Sequence, residues 1–259
     1  MLGAIIGDIA GSTYEFNKAL SHYFETMPEN SRYTDDTVLT VAIADAILHN
    51  RSYKDSLLEY ARRYPDAGYG KKFMEWFHND DPQPYNSFGN GSAMRVSPVG
   101  WAFDSIEKVM EEAKKTAEPS HNHPEGIKGA QATAVTVYLA REGKSKNDIK
   151  KFLQGAFDYD ISRTYDELKA TYENNLICQF TVPESIICFL ESEDYEDAIR
   201  KAIFLGGDSD TLACITGSMA EAYYRVVPED LARIAEEKLD EHLMITVNEF
   251  RAAYMSEIL

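Results

Sequence analysis

Apolar residues recur along most of the chain at intervals of three and four, which is the spacing of one buried face of an α-helix. Alternating strand patterns are scarce. The pattern predicts helices over about 2–16, 35–50, 53–64, 70–78, 104–117, 124–142, 146–157, 184–191, 194–204 and 210–225, and one or two more from 229 to 257. No low-complexity run or long linker divides the chain. The sequence therefore predicts one all-α domain over residues 1–259.

The charge of the chain limits the partners that it can bind. The formal net charge is −17 over 259 residues, and 44% of the residues are hydrophobic, enough for a sizeable core. A strongly negative surface repels nucleic-acid phosphates and anionic lipids, so we expect neither direct nucleic-acid binding nor membrane association. No segment reaches the roughly 18 apolar residues that a membrane span needs. An anionic small molecule would bind only where metal cations or helix N-termini reverse the field.

The three cysteines are Cys178, Cys188 and Cys214. Their number is odd, their spacing fits no zinc site, and all three lie in apolar segments. We therefore expect buried, reduced thiols, which are typical of a cytoplasmic protein.

Two short acidic segments, TDDT and GGDSDT, each stand directly before a predicted apolar helix. Together they supply four carboxylates and two hydroxyls: Thr34, Asp35, Asp36, Asp208, Asp210 and Thr211. Two separate helix caps are one interpretation, although one side chain suffices for a cap. If the two segments face each other, repulsion among the carboxylates would require divalent cations between them. Such hard oxygen ligands suit Mg²⁺, Mn²⁺ or Ca²⁺ rather than zinc.

The first predicted helix contains three glycines on one face, Gly3, Gly7 and Gly11. Glycine costs stability inside a helix, so its repeated use indicates a close approach to another helix. Asp8 and Glu15 belong to the same segment. A buried carboxylate without a partner is costly, and a nearby cation would compensate for it.

Two further polar segments could line the same cavity. YNSFGNGSAMR, residues 85–95, is a loop whose backbone N–H groups could hold a phosphate, although an ordinary capped turn is the alternative. SHNHPEGIKGAQATA, residues 120–134, places two histidines before a predicted helix. His121 could bind a ribose hydroxyl or a phosphate if it faces a ligand, and would otherwise be a surface histidine.

The ordered set of motifs resembles the ADP-ribosylglycohydrolase family. GDIAGS-x-YE, TDDT, GNGSAMR, H-x-x-P-x-x-I-x-GA and LGGDSDT occur in this order between Gly3 and about Tyr224. The resemblance implies a single orthogonal helical domain around a cleft that contains two divalent metal ions, Mg²⁺ or Mn²⁺. It also implies a hydrolase that releases ADP-ribose by cleaving the glycosidic bond to a modified side chain, an N-linked arginine or an O-linked serine. A small ADP-ribosyl compound as substrate, an ADP-ribose-binding module without catalysis, and a structural protein stay open as alternatives.

The resemblance also implies roles for individual residues. The metal ligands would be Thr34, Asp35, Asp36, Asp208, Asp210 and Thr211. The catalytic carboxylates would be drawn from Asp35, Asp36 and Glu15. The substrate-binding residues would be Ser87, Phe88, Gly89, Asn90, Gly91 and His121. Ser209 replaces a threonine that is frequent in the family at a position that is not a ligand. The chain also lacks long insertions, which leaves few loops to recognise a particular protein target.

Overall fold

The computed structural model describes residues 1–255. Residues 256–259 of the predicted domain lie outside the described part, and so does the predicted end of the last helix at residue 257. The described chain forms fifteen helices: α1 (Leu2–Ser12), α2 (Asp35–Leu48), α3 (Tyr53–Arg63), α4 (Lys71–His78), α5 (Gly91–Met94), α6 (Ser97–Ala102), α7 (Ile106–Ala117), α8 (Pro124–Arg141), α9 (Lys146–Phe157), α10 (Tyr165–Thr171), α11 (Cys178–Leu190), α12 (Tyr195–Leu205), α13 (Ser209–Tyr224), α14 (Glu229–Lys238) and α15 (Glu241–Tyr254). A single antiparallel bridge joins Gly89 and Ile177. The prediction of one all-helical domain is confirmed.

The differences from the predicted helices have physical reasons. The predictions omitted α5, α6 and α10, which have 4, 6 and 7 residues and are too short for the helical spacing to repeat. The predicted start at residue 184, directly after Pro183, is wrong, because α11 begins at Cys178 and Pro183 lies inside it. The first helix ends at Ser12 rather than near residue 16. There the Ser12 hydroxyl donates to the Ile9 carbonyl at 2.8 Å, a local bond that competes with helix continuation.

The first helix packs most extensively on α13, and its glycines make this contact possible. A Cβ atom at Gly7 would lie 2.1 Å from the Ala213 carbonyl oxygen. A Cβ atom at Gly11 would lie 2.4 Å from the Ser209 carbonyl oxygen. The predicted close helix–helix approach is therefore confirmed. It carries Asp8, which is fully buried, to the start of α13.

The remaining core surrounds this helix pair. The helices α8, α11 and α12 pack against α13, while α2 packs against α3, α6 and α15. The three cysteines are buried and unpaired, as predicted. Within residues 1–255, no helix combines the length and the apolarity of a membrane span. The fold thus brings the starts of α2 and α13 together beside α1.

Candidate metal centre and adjoining cleft

Five carboxylates from three segments meet at the starts of α2 and α13. Oxygens of Asp8, Asp36 and Asp210 lie within 4.8 Å of one another, and so do oxygens of Glu15, Asp208 and Asp210. Asp210 belongs to both groups. The two predicted acidic segments therefore do face each other, which the sequence alone left open.

Asp8 fastens the start of α2 to α1. Its Oδ1 accepts a hydrogen bond from the Thr34 hydroxyl at 2.7 Å, and its Oδ2 accepts from the backbone N–H of Thr34 at 2.9 Å and of Thr37 at 3.1 Å. Two of the otherwise unpaired N–H groups at the beginning of α2 are thereby satisfied from another helix. Asp8 was not among the predicted ligands, although the sequence placed it on the glycine-marked helix.

Asp36 provides the clearest indication that the cluster holds a cation. It is 2% exposed, and its Oδ1 makes no hydrogen bond within the described residues. Its Oδ2 accepts from the Thr211 hydroxyl at 3.2 Å and lies 3.3 Å from the Thr34 hydroxyl oxygen, whose proton is donated to Asp8. A buried carboxylate oxygen without a donor is costly, and a divalent cation with oxygen ligands relieves that cost. The buried Asp cluster is consistent with the metal site that the family resemblance implies.

The electrostatics of the cluster agree with its geometry. Burial and the negative charge of Asp210 raise the pKa of Asp8 to about 7 and that of Asp208 to about 8. The same two causes raise the pKa of Glu15 to about 7. Burial, followed by the charges of Asp8 and Asp210, holds the pKa of Asp36 well above its usual range. Without cations, these side chains therefore resist carrying their charges together.

Asp35 lies beside the cluster but belongs to neither group of three carboxylates. It is half-buried, and its Oδ1 is 3.6 Å from where a Cβ atom would stand at Gly68. Burial and the charges of Asp210, Asp8 and Asp208 raise the pKa of Asp35 well above its usual range. Asp35 is thus a predicted carboxylate that experiences the negative charges of the acidic centre without belonging to either group of three.

The predicted substrate loop adjoins the acidic centre. The Asn90 side-chain amide donates to Asp208 Oδ2 and, at 3.2 Å, to the Thr181 hydroxyl. Backbone bonds hold the loop against the segment before α11: Asn90 N–H donates to the Leu176 carbonyl, and Cys178 N–H donates to the Phe88 carbonyl, both at 2.9 Å. Asn90 therefore links the loop directly to the carboxylates.

The side chains of the loop present different surfaces. Phe88 is 41% exposed, and its ring centroid lies 5.0 Å from that of His123. The Ser87 hydroxyl accepts from the Gly89 N–H at 3.2 Å. A Cβ atom at Gly91 would lie 3.1 Å from His121 Nε2, so glycine allows the imidazole to approach the loop. The fold thus gathers all six predicted substrate-binding residues in one place.

A chain of polar contacts links Arg95 to His121. The buried Arg95 guanidinium donates to the Ser120 hydroxyl oxygen at 3.0 Å, and that hydroxyl lies 2.7 Å from His121 Nδ1. Arg95 occupies one lone pair of the Ser120 oxygen, which leaves the hydroxyl proton for Nδ1. Burial, followed by the charge of Arg95, lowers the pKa of His121 well below its usual range. When the Ser120 proton points at Nδ1, the neutral ring presents an Nε2–H to the glycine loop.

Comparisons with known proteins agree with this architecture. The sequence model of the ADP-ribosylglycohydrolase family matches residues 1–255. Human ADP-ribosylhydrolase ARH3 is 27% identical over 91% of this chain and 88% of its own. The ADP-ribosylarginine hydrolase Tri1 of Pseudomonas putida is 23% identical over 91% of this chain and 73% of its own. A solved ADP-ribosylglycohydrolase-related protein complex matches with a TM-score of 0.76 at 22% identity, covering 96% of both chains.

Proposed function

The chain belongs to the ADP-ribosylglycohydrolase family, and from this premise we propose that it is a metal-dependent hydrolase that releases ADP-ribose from a modified side chain. The observation that carries the proposal is the meeting of the two acidic segments, with a buried and unpartnered Asp36 oxygen, directly beside the glycine-rich loop. Helix capping alone would require neither that the two acidic segments meet nor that a buried carboxylate oxygen of Asp36 lacks a hydrogen-bond donor.

In this proposal, the acidic centre holds two divalent cations, Mg²⁺ or Mn²⁺. The residues that would hold them share oxygen donors at the starts of α2 and α13: Thr34, Asp35, Asp36, Asp208, Asp210 and Thr211. Bound cations would supply Lewis acidity toward the ribose hydroxyls and would neutralise the acidic centre. Asp8 would act as a positioning residue, because its hydrogen bonds hold Thr34 and Thr37 at the start of α2.

The glycine-rich loop would bind the remainder of ADP-ribose. The N–H groups of Ser87, Gly89 and Asn90 already donate inside the protein, so the remaining backbone N–H groups of the loop and the Nε2 side of His121 would face the diphosphate oxygens. The exposed face of Phe88 would contact the adenosine end. Asn90 would keep this loop in register with the acidic centre through its bond to Asp208. The loop and the centre together would place the anomeric carbon beside the carboxylates.

The bond cleavage would proceed through an oxocarbenium-like state that the surrounding carboxylates stabilise. Asp35, Asp36 or Glu15 would orient a water toward the anomeric carbon and accept its proton. Asp35 suits this role best, because it is half-buried and lies outside both three-carboxylate groups, so one of its oxygens would stay available for the water even where the other holds a cation. The bond between the anomeric carbon and the side-chain nitrogen or oxygen would break, and the water oxygen would bond to that carbon. The leaving group would take the proton that the carboxylate accepted from the water.

The test is ADP-ribose release from ADP-ribosyl-arginine and ADP-ribosyl-serine peptides in Mg²⁺, in Mn²⁺ and in EDTA. The similarity to the ADP-ribosylarginine hydrolase Tri1 of Pseudomonas putida favours the arginine linkage. We expect release that depends on added metal. Release that persists unchanged in EDTA would contradict the metal dependence. ADP-ribose binding without release from either peptide or from O-acetyl-ADP-ribose would instead identify a binding module.

A further inference from the structure

A second polar cavity, of about 360 Å³, lies outside the acidic centre. Its walls are the first turns of α8, the first turns of α11 and the segment 158–163 that follows α9. It borders the back of the substrate loop, because Cys178 bonds to the Phe88 carbonyl and the next residue, Gln179, lines the cavity. The proposed function uses none of the side chains that line it.

Several buried polar atoms that line this cavity have no hydrogen-bond partner among the described residues. They are Glu184 Oε2, Gln179 Oε1, Glu125 Oε2, Tyr159 Oη and Arg163 Nε. Glu184 is only 4% exposed and forms no ion pair within residues 1–255, and Tyr159 is 6% exposed. Because buried polar groups are nearly always paired, such a concentration of unpaired atoms in one cavity indicates a ligand that supplies the partners.

The unpaired atoms are mainly hydrogen-bond acceptors. Glu184 Oε2 and Gln179 Oε1 are free acceptors, while Glu125 Oε2 has an ion pair with Lys128 at 3.7 Å but no hydrogen bond. Pro183 also lines the cavity inside α11, and since proline has no N–H, the Gln179 backbone carbonyl lacks its usual donor four residues on. The complementary ligand is therefore rich in N–H donors.

The charge and the aromatic side chains of the cavity further restrict the chemical class of the ligand. Four acidic and two basic side chains line the cavity, so its formal charge is negative. One of the basic groups is already engaged, because Lys128 Nζ lies 3.7 Å from Glu125 Oε2 and 4.5 Å from the Tyr159 ring centroid. Phe180, which is 47% exposed, leaves an aromatic face at the cavity mouth. Aromatic faces and carboxylates together favour a planar cation.

We propose that this cavity binds the guanidinium group of an arginine. The planar fork of a guanidinium donates to a carboxylate and to neighbouring acceptors at the same time, which matches Glu184 and Gln179. The unpaired Arg163 Nε–H then binds an acceptor at the other end of the ligand. A free arginine offers its carboxylate there, and an arginine within a peptide offers a backbone carbonyl.

Isothermal titration of the full-length protein in EDTA tests the proposal, with L-arginine, argininamide, an N- and C-blocked arginine peptide, L-lysine and spermidine as ligands. We expect one arginine per chain, bound at least tenfold more tightly than lysine or spermidine. L-arginine binding more tightly than the amide and the blocked peptide identifies the free amino acid as the ligand. Equal affinities identify an arginine side chain of a larger partner.

Two variants locate the binding. Glu184→Gln keeps the shape and removes the buried charge, so it should fold, as circular dichroism would verify, and weaken arginine binding at least tenfold. Phe180→Ala removes an exposed ring and should weaken binding severalfold without affecting folding.

The matched control is Glu229→Gln, which changes an exposed carboxylate at the start of α14. Absent binding at millimolar arginine, binding unchanged in both variants, or equal affinity for spermidine would overturn the proposal. Because EDTA is present throughout, these outcomes are independent of ADP-ribose hydrolysis.

Discussion

The starts of α2 and α13 are both acidic, but they use their polar side chains differently. At α2, the Thr34 hydroxyl accepts from the Asp36 N–H at 3.3 Å, and Asp8 satisfies two more N–H groups. At α13, Asp208 stands in the capping position and makes no capping hydrogen bond, while its carboxylate accepts from Asn90. Both helix starts are thus bonded to α1, α2 through Asp8 and α13 through the Ser209 hydroxyl, which donates to the Gly11 carbonyl at 2.8 Å. The difference is that the carboxylate at α2 caps N–H groups, whereas Asp208 leaves them uncapped and accepts from the substrate loop.

The substitution Asp210→Asn should produce the largest effect, because Asp210 is shared by both groups of carboxylates. We expect ADP-ribose release to fall at least about 100-fold, a size typical of lost electrostatic stabilisation at an active site. Metal titration should show at least one site lost, while circular dichroism stays helical. Asp230→Asn, an exposed aspartate on α14, is the control. Full turnover by Asp210→Asn would show that the acidic centre takes no part in the reaction.

A pair of substitutions compares the two helix starts directly. In metal-free protein at about pH 5, where the raised pKa values keep Asp8 and Asp208 protonated and neither substitution removes a charge, Asp8→Asn should lower the free energy of unfolding by about 1–3 kcal/mol, because an amide NH₂ cannot accept the bonds from Thr34 and Thr37. Asp208→Asn should change it less, because its carboxylate caps nothing. Urea unfolding monitored by circular dichroism measures both. Equal losses would mean that the two helix starts are built alike.

The pH dependence of stability sharpens the comparison in metal-free protein. The pKa values of Asp8 and Glu15 are raised to about 7, and that of Asp208 to about 8. The native state therefore binds more protons than the unfolded state between about pH 4 and pH 8, so the free energy of unfolding should fall as pH rises through this window. Denaturation midpoints measured across it test this. Saturating Mg²⁺ at pH 8 should restore stability, and a midpoint that rises with pH would contradict the interpretation.

The smallest expected effect concerns the histidine beside the loop. Ser120→Ala removes the hydroxyl that lies 2.7 Å from His121 Nδ1, and with it the partner that can hold the imidazole proton on Nε2. We expect about a tenfold loss in substrate affinity with a smaller change in turnover, the size of one hydrogen bond to a charged group. Nitrogen-15 NMR of the imidazole reports the tautomer. Thr116→Ser, which keeps a buried hydroxyl nearby, should leave both the spectrum and the affinity unchanged.

Local sequence patterns predicted most of the helices and the acidic segments of this protein. The helical spacing identified the long helices, since a buried face repeats every three to four residues. It failed for α5, α6 and α10, which are too short to repeat, and at Pro183, which the fold accommodates inside α11. The acidic segments were visible because they contain more carboxylates than capping needs.

The sequence by itself determined the helices, the glycine-marked face of α1 and the two acidic segments, because these depend on neighbouring residues. Only the tertiary structure decided that the segments meet, that Asp8 rather than a local side chain fastens α2, and that Arg95 orients His121. Such contacts join residues far apart along the chain, and their geometry depends on how closely α1 packs against α13. The cavity between α8 and α11 was likewise decided only by the tertiary structure, because its unpaired atoms come from three segments that are far apart along the chain.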